Sequence, residues 1–167
     1  LTGEFASTIN AHTRNNLIIR ALNAFRQNGG CIGPVRIVLE KKIPVEAGLG
    51  GGSSDAAALL LAINERSKTP LSHYNLYDIG LKLGADVPVC LARGCQRIAN
   101  IGEILTPYDL PKIGAVLLVN PGVALSTKDV FDSFEDSDRK SGSGFGGPLS
   151  MLDTANIVGL GNDLTET

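Results

Sequence analysis

The stretch GLGGGSSDAAA at residues 48–58 constrains the fold of this chain more than any other feature. Four of its first five residues are glycines, which permit positive φ angles and let backbone amides approach a ligand closely. Ser53, Ser54 and Asp55 are good helix-starting residues, and residues 56–63 are then apolar without a break. We therefore predict a helix that begins where the glycines end and is buried on all sides, with unpaired amides and a positive dipole end that favour an anion.

Glycine-rich stretches can also form flexible links or hairpin turns. This one is flanked by a predicted strand and a wholly apolar helix, which favours a phosphate-binding loop over a linker. It is not a P-loop, because Gly-Lys-Ser and Gly-Lys-Thr occur nowhere in the chain. It also fits a Rossmann fingerprint poorly, because no acidic residue closes a second strand about twenty residues later.

The composition indicates a soluble globular protein of one domain or two small ones, since 43% of its 167 residues are hydrophobic and the formal net charge is −2. No cluster of Lys and Arg offers a surface for nucleic acid, and no apolar run is long enough to span a membrane. We therefore expect no nucleic-acid or membrane partner and a cytoplasmic location. His12 and His73 are isolated, and Cys31, Cys90 and Cys95 form no Cys-x-x-Cys pair, so we expect partly buried thiols and no zinc site.

The remaining elements follow from periodicity. Asn16 precedes a helical pattern over residues 17–27 that ends at Gly29, and Ser72 offers a cap for a second helix through about Leu83. Alternating β-branched residues predict a strand at 35–39, which delivers the chain to Lys41 and Lys42. These lysines are either a solvated strand end or, for one of them, a neighbour of a bound nucleotide. Further along, we predict a strand pair or bulged loop at 93–105, a buried strand at 113–120, a short helix near 130–134 and an exposed link at 136–147.

Asp86 stands in the segment GADVPV, where a helix is expected to pass into a strand or a buried turn. Taken alone, this aspartate could cap a turn by bonding to its own backbone, which is the commoner role for such a residue. Spacing does not separate that role from a functional one.

The motifs together resemble a known kinase superfamily. Its motif Pro-x-x-x-Gly-Leu-Gly-x-x-Ser-Ser stands here as Pro44, Gly48, Leu49, Gly50, Ser53 and Ser54. With LGADVPV at residues 83–89, the chain resembles the galactokinase, homoserine kinase, mevalonate kinase and phosphomevalonate kinase superfamily. The additional Gly51 and Gly52, the Asp55 continuation and the segments NNLIIRA, GEILTP and PGVALSTKDVF look most like its members that act on a cytidyl substrate in non-mevalonate isoprenoid biosynthesis.

The resemblance implies an α+β, two-domain small-molecule kinase fold. Residues 1–108 would form an ATP-binding domain of the ribosomal-protein-S5-like α/β type, lacking its first strands. Residues 109–167 would begin a ferredoxin-like α+β substrate domain. The superfamily's first and third motifs are absent from this sequence, so we expect an interior piece of a larger enzyme that is inactive by itself.

The resemblance also implies which residues bind ligands. ATP and Mg2+ would be the cofactors, and the ATP-binding residues would be Pro44, Val45, Glu46, Ala47, Gly48, Leu49, Gly50, Gly51, Gly52, Ser53 and Ser54, with Asn16 and Lys41 near adenine. Ser54, or Ser53, would reach Mg2+. Asp86 would be the catalytic residue and contact the small-molecule substrate, together with Thr127 and Phe131. Phe131 could equally be an ordinary core residue, and the lysine that accompanies the aspartate in the superfamily is missing here.

Two rival functions remain open at this point. One is a kinase of the same superfamily acting on homoserine or a mevalonate, against which Gly51, Gly52 and Asp55 argue. The other is a nucleotide-binding module without turnover, which the missing motifs would support.

Overall fold

The computed structural model describes residues 1–8, 15–45, 47–100, 102–109, 115 and 117–119. The chain divides into two compact units, Leu1–Pro107 and Tyr108–Thr167. The first unit contains a short 3-10 turn at Ala6–Thr8 and six further elements, which are helices α1 (Leu17–Gln27), α2 (Gly51–Glu65), α3 (His73–Leu83) and α4 (Asp86–Ala92), then strands β1 (Gln96–Ala99) and β2 (Ile104–Pro107). The assignment of the two units as an ATP-binding and a substrate domain stays a prediction.

The four helices form a closed ring. Helix α1 packs against α2 and α3, and α4 packs against the same two helices. Each helix contributes at least one large side chain that is fully buried in the shared core, namely Phe25, Leu60, Ile79 and Val87. Truncating such a side chain to alanine typically costs about 2–5 kcal/mol of stability. The ring is therefore the rigid body that carries the loops at the helix ends.

Helix α1 confirms its prediction. Asn16 caps it, because its Oδ1 accepts a hydrogen bond from the Ile18 amide at 3.0 Å. The apolar spacing places Ile18, Ala21, Leu22 and Phe25 on the buried face. The chain then reverses at Gly30, where a Cβ atom would collide with the Phe25 ring. Only glycine fits there, so the predicted stop is enforced by packing as well as by backbone freedom.

Helix α3 and the hairpin also follow the sequence. Ser72 caps α3, since its Oγ accepts a hydrogen bond from the Asn75 amide at 3.2 Å. The predicted strand pair is the antiparallel hairpin of β1 and β2. The segment after Gly84 differs from expectation: Asp86 begins helix α4, so residues 89–91 are helical and form neither a strand nor a buried turn.

The predicted strand at residues 35–39 is wrong within the described part of the chain. Only its end finds a partner: the Thr2 amide donates to the Leu39 carbonyl at 2.9 Å, and the Lys41 amide donates to the Thr2 carbonyl at 2.7 Å. Residue preferences for strands act largely through packing against neighbouring strands, and Val38 is 65% exposed. Without such neighbours, the alternating pattern gives an extended segment and not a ladder.

Helix α2 differs from its prediction in two ways. It begins at Gly51, inside the glycine run, with Gly50 as its N-cap. It is buried on one side only: Ala56, Ala57, Leu60 and Ile63 lie in the core, whereas Ala58 and Ala62 are exposed. The reason is the ring, which covers a helix on the side of its two neighbours and leaves the outer side open.

In the second unit, Leu117, Leu118 and Val119 are exposed and lie outside any strand, which contradicts the predicted buried strand for these three residues. The rest of that stretch lies mostly outside the described residues, as do the predicted helix near 130–134 and the predicted link at 136–147. The cysteines are free thiols, and Cys31 and Cys95 are exposed, not partly buried as expected. No helix in the described ranges has the length and apolar character needed to cross a membrane.

Candidate active site

The first turn of α2 presents backbone donors that have no acceptor within the helix. Gly48 and Gly50 have φ angles of 69° and 64°, a left-handed conformation that suits glycine. The first intrahelical bond runs from the Ser54 amide to the Gly50 carbonyl at 2.9 Å. The amides of Gly51, Gly52 and Ser53 precede that bond, and α2 has no side-chain cap. These amides and the helix dipole suit an anion such as a phosphate.

Lys41 lies against this first turn. Its side chain is only 7% exposed, and its Nζ donates to Oδ2 of Asp55 at 3.2 Å. A Cβ atom on Gly51 would lie 3.2 Å from the same Nζ. Lys41 is therefore not a solvated strand end. Lys42 is solvated, because its side chain is 74% exposed, and its Nζ pairs with Oε1 of Glu40 at 3.5 Å.

Asp55 is a residue whose role the sequence reasoning missed. The sequence predicts a helix-starting residue here, but Asp55 lies one turn inside α2 and pairs with Lys41, 14 positions earlier in the sequence. The available signal was the presence of opposite charges on both sides of a glycine loop. That signal is weak, because a sequence does not show which lysine of a pair turns inward.

The other predicted cofactor residues lie at different depths. Ser53 is half-buried and Ser54 is exposed, both in the first turn of α2. Pro44 and Ala47 are half-buried, whereas Val45 and Leu49 are exposed, and Glu46 lies outside the described residues. The Asn16 Oδ1 atom accepts the hydrogen bond that caps α1, so this side chain has a structural role, and its predicted adenine contact stays a prediction.

The binding of a Mg2+ ion in this site would depend on the phosphates of the nucleotide that it accompanies. The described residues contain no group of three or more His, Cys, Asp or Glu side chains that could hold a metal. Mg2+ in nucleotide sites is usually held by one or two protein groups together with phosphates and water. A single hydroxyl from Ser54 or Ser53 beside the donor amides fits that mode of binding.

Asp86 is the first residue of α4 and is exposed. The N-cap is Ala85, and no side chain caps this helix, so the structure gives Asp86 no helix-capping role. Its charge does reach Cys90 one turn later: burial raises the pKa of the Cys90 thiol, and the Asp86 carboxylate raises it further. Cys90 is therefore a neutral thiol at neutral pH, which suits a packing role better than a nucleophilic one.

The turn of the hairpin supports the start of α4. Gly102 is buried with a φ of 108°, and a Cβ atom there would lie 2.9 Å from the Ala85 carbonyl oxygen. The Tyr77 hydroxyl donates to the Glu103 carbonyl at 2.5 Å, which ties the turn to α3. Helix α3 thus holds the turn, and the turn lies against the residue before Asp86. Sequence reasoning identified the GEILTP segment but not this contact.

The structure describes one part of the predicted site and not the other. The structure brings the glycine loop, the first turn of α2 and Lys41 together, and it places Asp86 on α4, which packs directly against α2. Thr127 and Phe131, the predicted substrate contacts, lie outside the described residues.

Comparison with known proteins identifies the class. Residues 16–94, which contain the glycine loop and all four helices, match the N-terminal domain of GHMP kinases. The chain belongs to this family, and the resemblance noted from its motifs is confirmed.

The relatives are more specific. A protein of Brucella abortus is 51% identical over 138 residues, covering 78% of this chain and 45% of its own length. One of Alkaliphilus metalliredigens is 42% identical over 127 residues, covering 76% and 44%, and one of Lachnoclostridium phytofermentans is 38% identical over 143 residues, covering 86% and 49%. Each is named 4-diphosphocytidyl-2-C-methyl-D-erythritol kinase. The chain spans about half the length of these curated relatives.

Proposed function

We propose that this chain serves in the ATP-dependent phosphorylation of the 2-hydroxyl of 4-diphosphocytidyl-2-C-methyl-D-erythritol, a step of non-mevalonate isoprenoid precursor biosynthesis. The names of the relatives support this substrate. The observation that carries the proposal is the first turn of α2, where three amides have no acceptor within the helix and a buried lysine lies against Gly51. Such a set of fixed donors is what phosphoryl transfer requires of a protein, since the reaction depends mainly on positioning and charge stabilisation.

The ATP phosphates lie, in this proposal, across residues 47–54. The amides of Gly51, Gly52 and Ser53 donate to phosphate oxygens, and their donor strength is increased by the dipole of α2. Ser54 would supply one ligand to Mg2+, and a bound Mg2+ would neutralise charge on the phosphates. In this proposal, the adenine of ATP lies near Asn16 and Lys41.

Asp86 handles the proton of the acceptor alcohol. The oxygen of the substrate hydroxyl attacks the γ-phosphorus, the bond from that phosphorus to the β–γ bridging oxygen breaks, and ADP leaves with the bridging oxygen. A carboxylate in hydrogen-bond reach orients the hydroxyl and accepts its proton. Asp86 suits this role because it is exposed and does not cap α4. Thr127 and Phe131 complete the proposal as substrate contacts, with the Phe131 ring stacking on cytosine.

The finer fold description belongs to the same proposal. Leu1–Pro107 would be the main part of an S5-like ATP-binding domain, and residues 109–167 would begin a ferredoxin-like substrate domain. The mixed helix and strand content and the GHMP match support an α+β fold in general.

The experiment is a coupled ATP-consumption assay on the full-length protein encoded by the reading frame. The cytidyl substrate, homoserine and mevalonate are supplied separately, at the same concentrations of ATP and Mg2+. We expect turnover with the cytidyl substrate only. Turnover with homoserine or mevalonate instead would assign another kinase of the family, and ATP binding with no turnover of any alcohol would assign a nucleotide-binding module.

A further inference from the structure

A cation is buried at the end of α2 where a cation is least expected. The positive end of a helix dipole repels a nearby ammonium group, and burial removes the water that would otherwise stabilise it. Yet the Lys41 side chain is 7% exposed and lies against Gly51 in the first turn. Asp55 offsets both costs, because its carboxylate accepts from Nζ at 3.2 Å while remaining 31% exposed itself. The Asp55 carboxylate therefore stabilises the Lys41 ammonium in a position where burial and the helix dipole would otherwise disfavour a positive charge.

The backbone of Lys41 is fixed as firmly as its side chain. Its amide donates to the Thr2 carbonyl at 2.7 Å, and its carbonyl accepts from the Phe5 amide at 3.2 Å. Gly3 lies so close to this backbone that a Cβ atom there would be 2.7 Å from the Lys41 nitrogen. The residue is thus anchored at both ends, and its ammonium has a defined position beside the loop.

The ammonium keeps donors for a ligand. It has three N–H groups, and within the described part of the chain Asp55 is its hydrogen-bond partner. The ammonium lies against Gly51, where an added Cβ atom would be 3.2 Å from Nζ, and the Gly51 amide has no acceptor within the helix. An anionic ligand bound at the Gly51 amide would therefore lie close to this ammonium.

We propose that Asp55 is a positioning residue for nucleotide binding: it holds the Lys41 ammonium at the first turn of α2, so that ammonium and amides bind the same nucleoside triphosphate. The inference rests on the proposed function in that it takes ATP as the ligand of this loop. It adds a residue that touches no ligand and acts through Lys41. Asp55 should therefore affect ATP affinity and not the chemical step.

The test is a double-mutant cycle on ATP binding in the full-length protein. ATP dissociation constants are measured by calorimetric titration for the wild type, Lys41→Met, Asp55→Asn and the double variant. We expect each single substitution to weaken binding at least about tenfold, and the double variant to be within about threefold of Lys41→Met, because the two residues act as one unit. For Asp55→Asn, the loss should appear in the Michaelis constant for ATP and not in turnover at saturating ATP, because Asp55 acts through Lys41 and not on the reacting atoms.

The chain offers a matched control and a rescue variant. Lys42 and Glu40 form an exposed pair close by in sequence, so Lys42→Met and Glu40→Gln should leave ATP affinity within about twofold. Asp55→Glu keeps the carboxylate and should recover most of the ATP affinity that Asp55→Asn loses. If Asp55→Asn is poorly folded, Asp55→Glu is compared with the wild type instead. The quantity compared is the shift of the melting temperature on adding ATP.

The inference is overturned if Asp55→Asn binds ATP like the wild type while Lys41→Met does not, or if its loss only follows the loss of folded protein. It is also overturned if the wild type does not bind ATP. A wild type that binds ATP but phosphorylates none of the alcohols refutes the proposed function alone, since the cycle on ATP affinity is unaffected by that result.

Discussion

The four helices of the ring begin in two different ways. Helices α1 and α3 have a polar side chain, Asn16 or Ser72, that caps their first turn. Helices α2 and α4 begin at Gly50 and Ala85 and have no side-chain cap. The candidate phosphate loop and the candidate catalytic aspartate both lie at the uncapped starts.

The difference between capped and uncapped helix starts shows which parts of the fold lack a stabilising cap. A capping side chain contributes about 1 kcal/mol, so an uncapped helix start forgoes that contribution and leaves donors free. A bound anion can take the place of the cap at α2. The capped starts should therefore matter for stability alone, and the uncapped starts for ligand binding and turnover.

The largest expected effect is on turnover, at the start of α4. Asp86→Asn in the full-length protein should lower the turnover number at least about a hundredfold, because the amide cannot accept the proton of the acceptor hydroxyl. ATP binding and melting temperature should stay nearly unchanged. Asp78→Asn is the control: this exposed aspartate pairs with Lys82 at 2.6 Å on α3 and should change turnover less than twofold. A fall in turnover that only matches the loss of folded protein would make Asp86 a structural residue.

The next effect concerns ATP affinity, at the start of α2. Gly50→Val should raise the Michaelis constant for ATP at least about tenfold, or about 1.4 kcal/mol, because a β-branched residue is strained at the left-handed φ of 64°. Steady-state kinetics at varied ATP measure it. Gly29→Val is the matched variant, since Gly29 has a φ of 93° and equally open surroundings but lies at the opposite end of α1 from its cap. Equal ATP kinetics for the two variants would return the glycine loop to a structural role.

A smaller effect is expected where the hairpin turn supports α4. Gly102→Ala places a Cβ atom 2.9 Å from the Ala85 carbonyl oxygen, so the residue before Asp86 must move. We expect turnover to fall at least about threefold with ATP affinity unchanged, since misplacing a catalytic group slows the chemical step. Single-turnover kinetics would separate this from product release. Unaltered turnover in a folded variant would show that the turn does not position Asp86.

The smallest kinetic effect belongs to the capped starts. Ser72→Ala should lower the free energy of unfolding by about 1 kcal/mol, because the Asn75 amide loses its acceptor. Urea titration measures that loss, and ATP kinetics should remain those of the wild type. A change in ATP affinity would break the distinction between capped and uncapped starts.

Much of this arrangement could be predicted from sequence, because local signals set it. Asn16 and Ser72 capped the helices that their apolar periodicity predicted, and the glycine loop was expected to end in a helix. What could not be predicted depends on long-range packing. Among the described residues, the segment at residues 35–39 pairs with another segment only at its end, and α2 is exposed on the side away from the ring.

The candidate site divides in the same way. The glycine loop and the helix that follows it were predictable, because glycine chemistry and helix-start preferences act within a few residues. The inward turn of Lys41 and its pairing with Asp55 were not, because they depend on how the chain returns to α2 after 14 residues. The contact of Gly102 with Ala85 likewise joins positions that no local pattern connects.

The turns that follow the C-terminal ends of α1 and α2 are joined by hydrogen bonds involving hydroxyl groups. These bonds have a consequence for amide hydrogen exchange. The Cys31 amide donates to both the Ser67 and Thr69 hydroxyls, and the Thr69 hydroxyl donates to the Gly29 carbonyl. An amide on an exposed turn normally exchanges with solvent within seconds, but one engaged twice is protected until these bonds open. The Cys31 amide should therefore exchange slowly although it lies at the surface, and its exchange rate should not depend on the nucleotide concentration. It can serve as an internal reference for the amides of Gly51 and Gly52, whose exchange should slow as ATP is added.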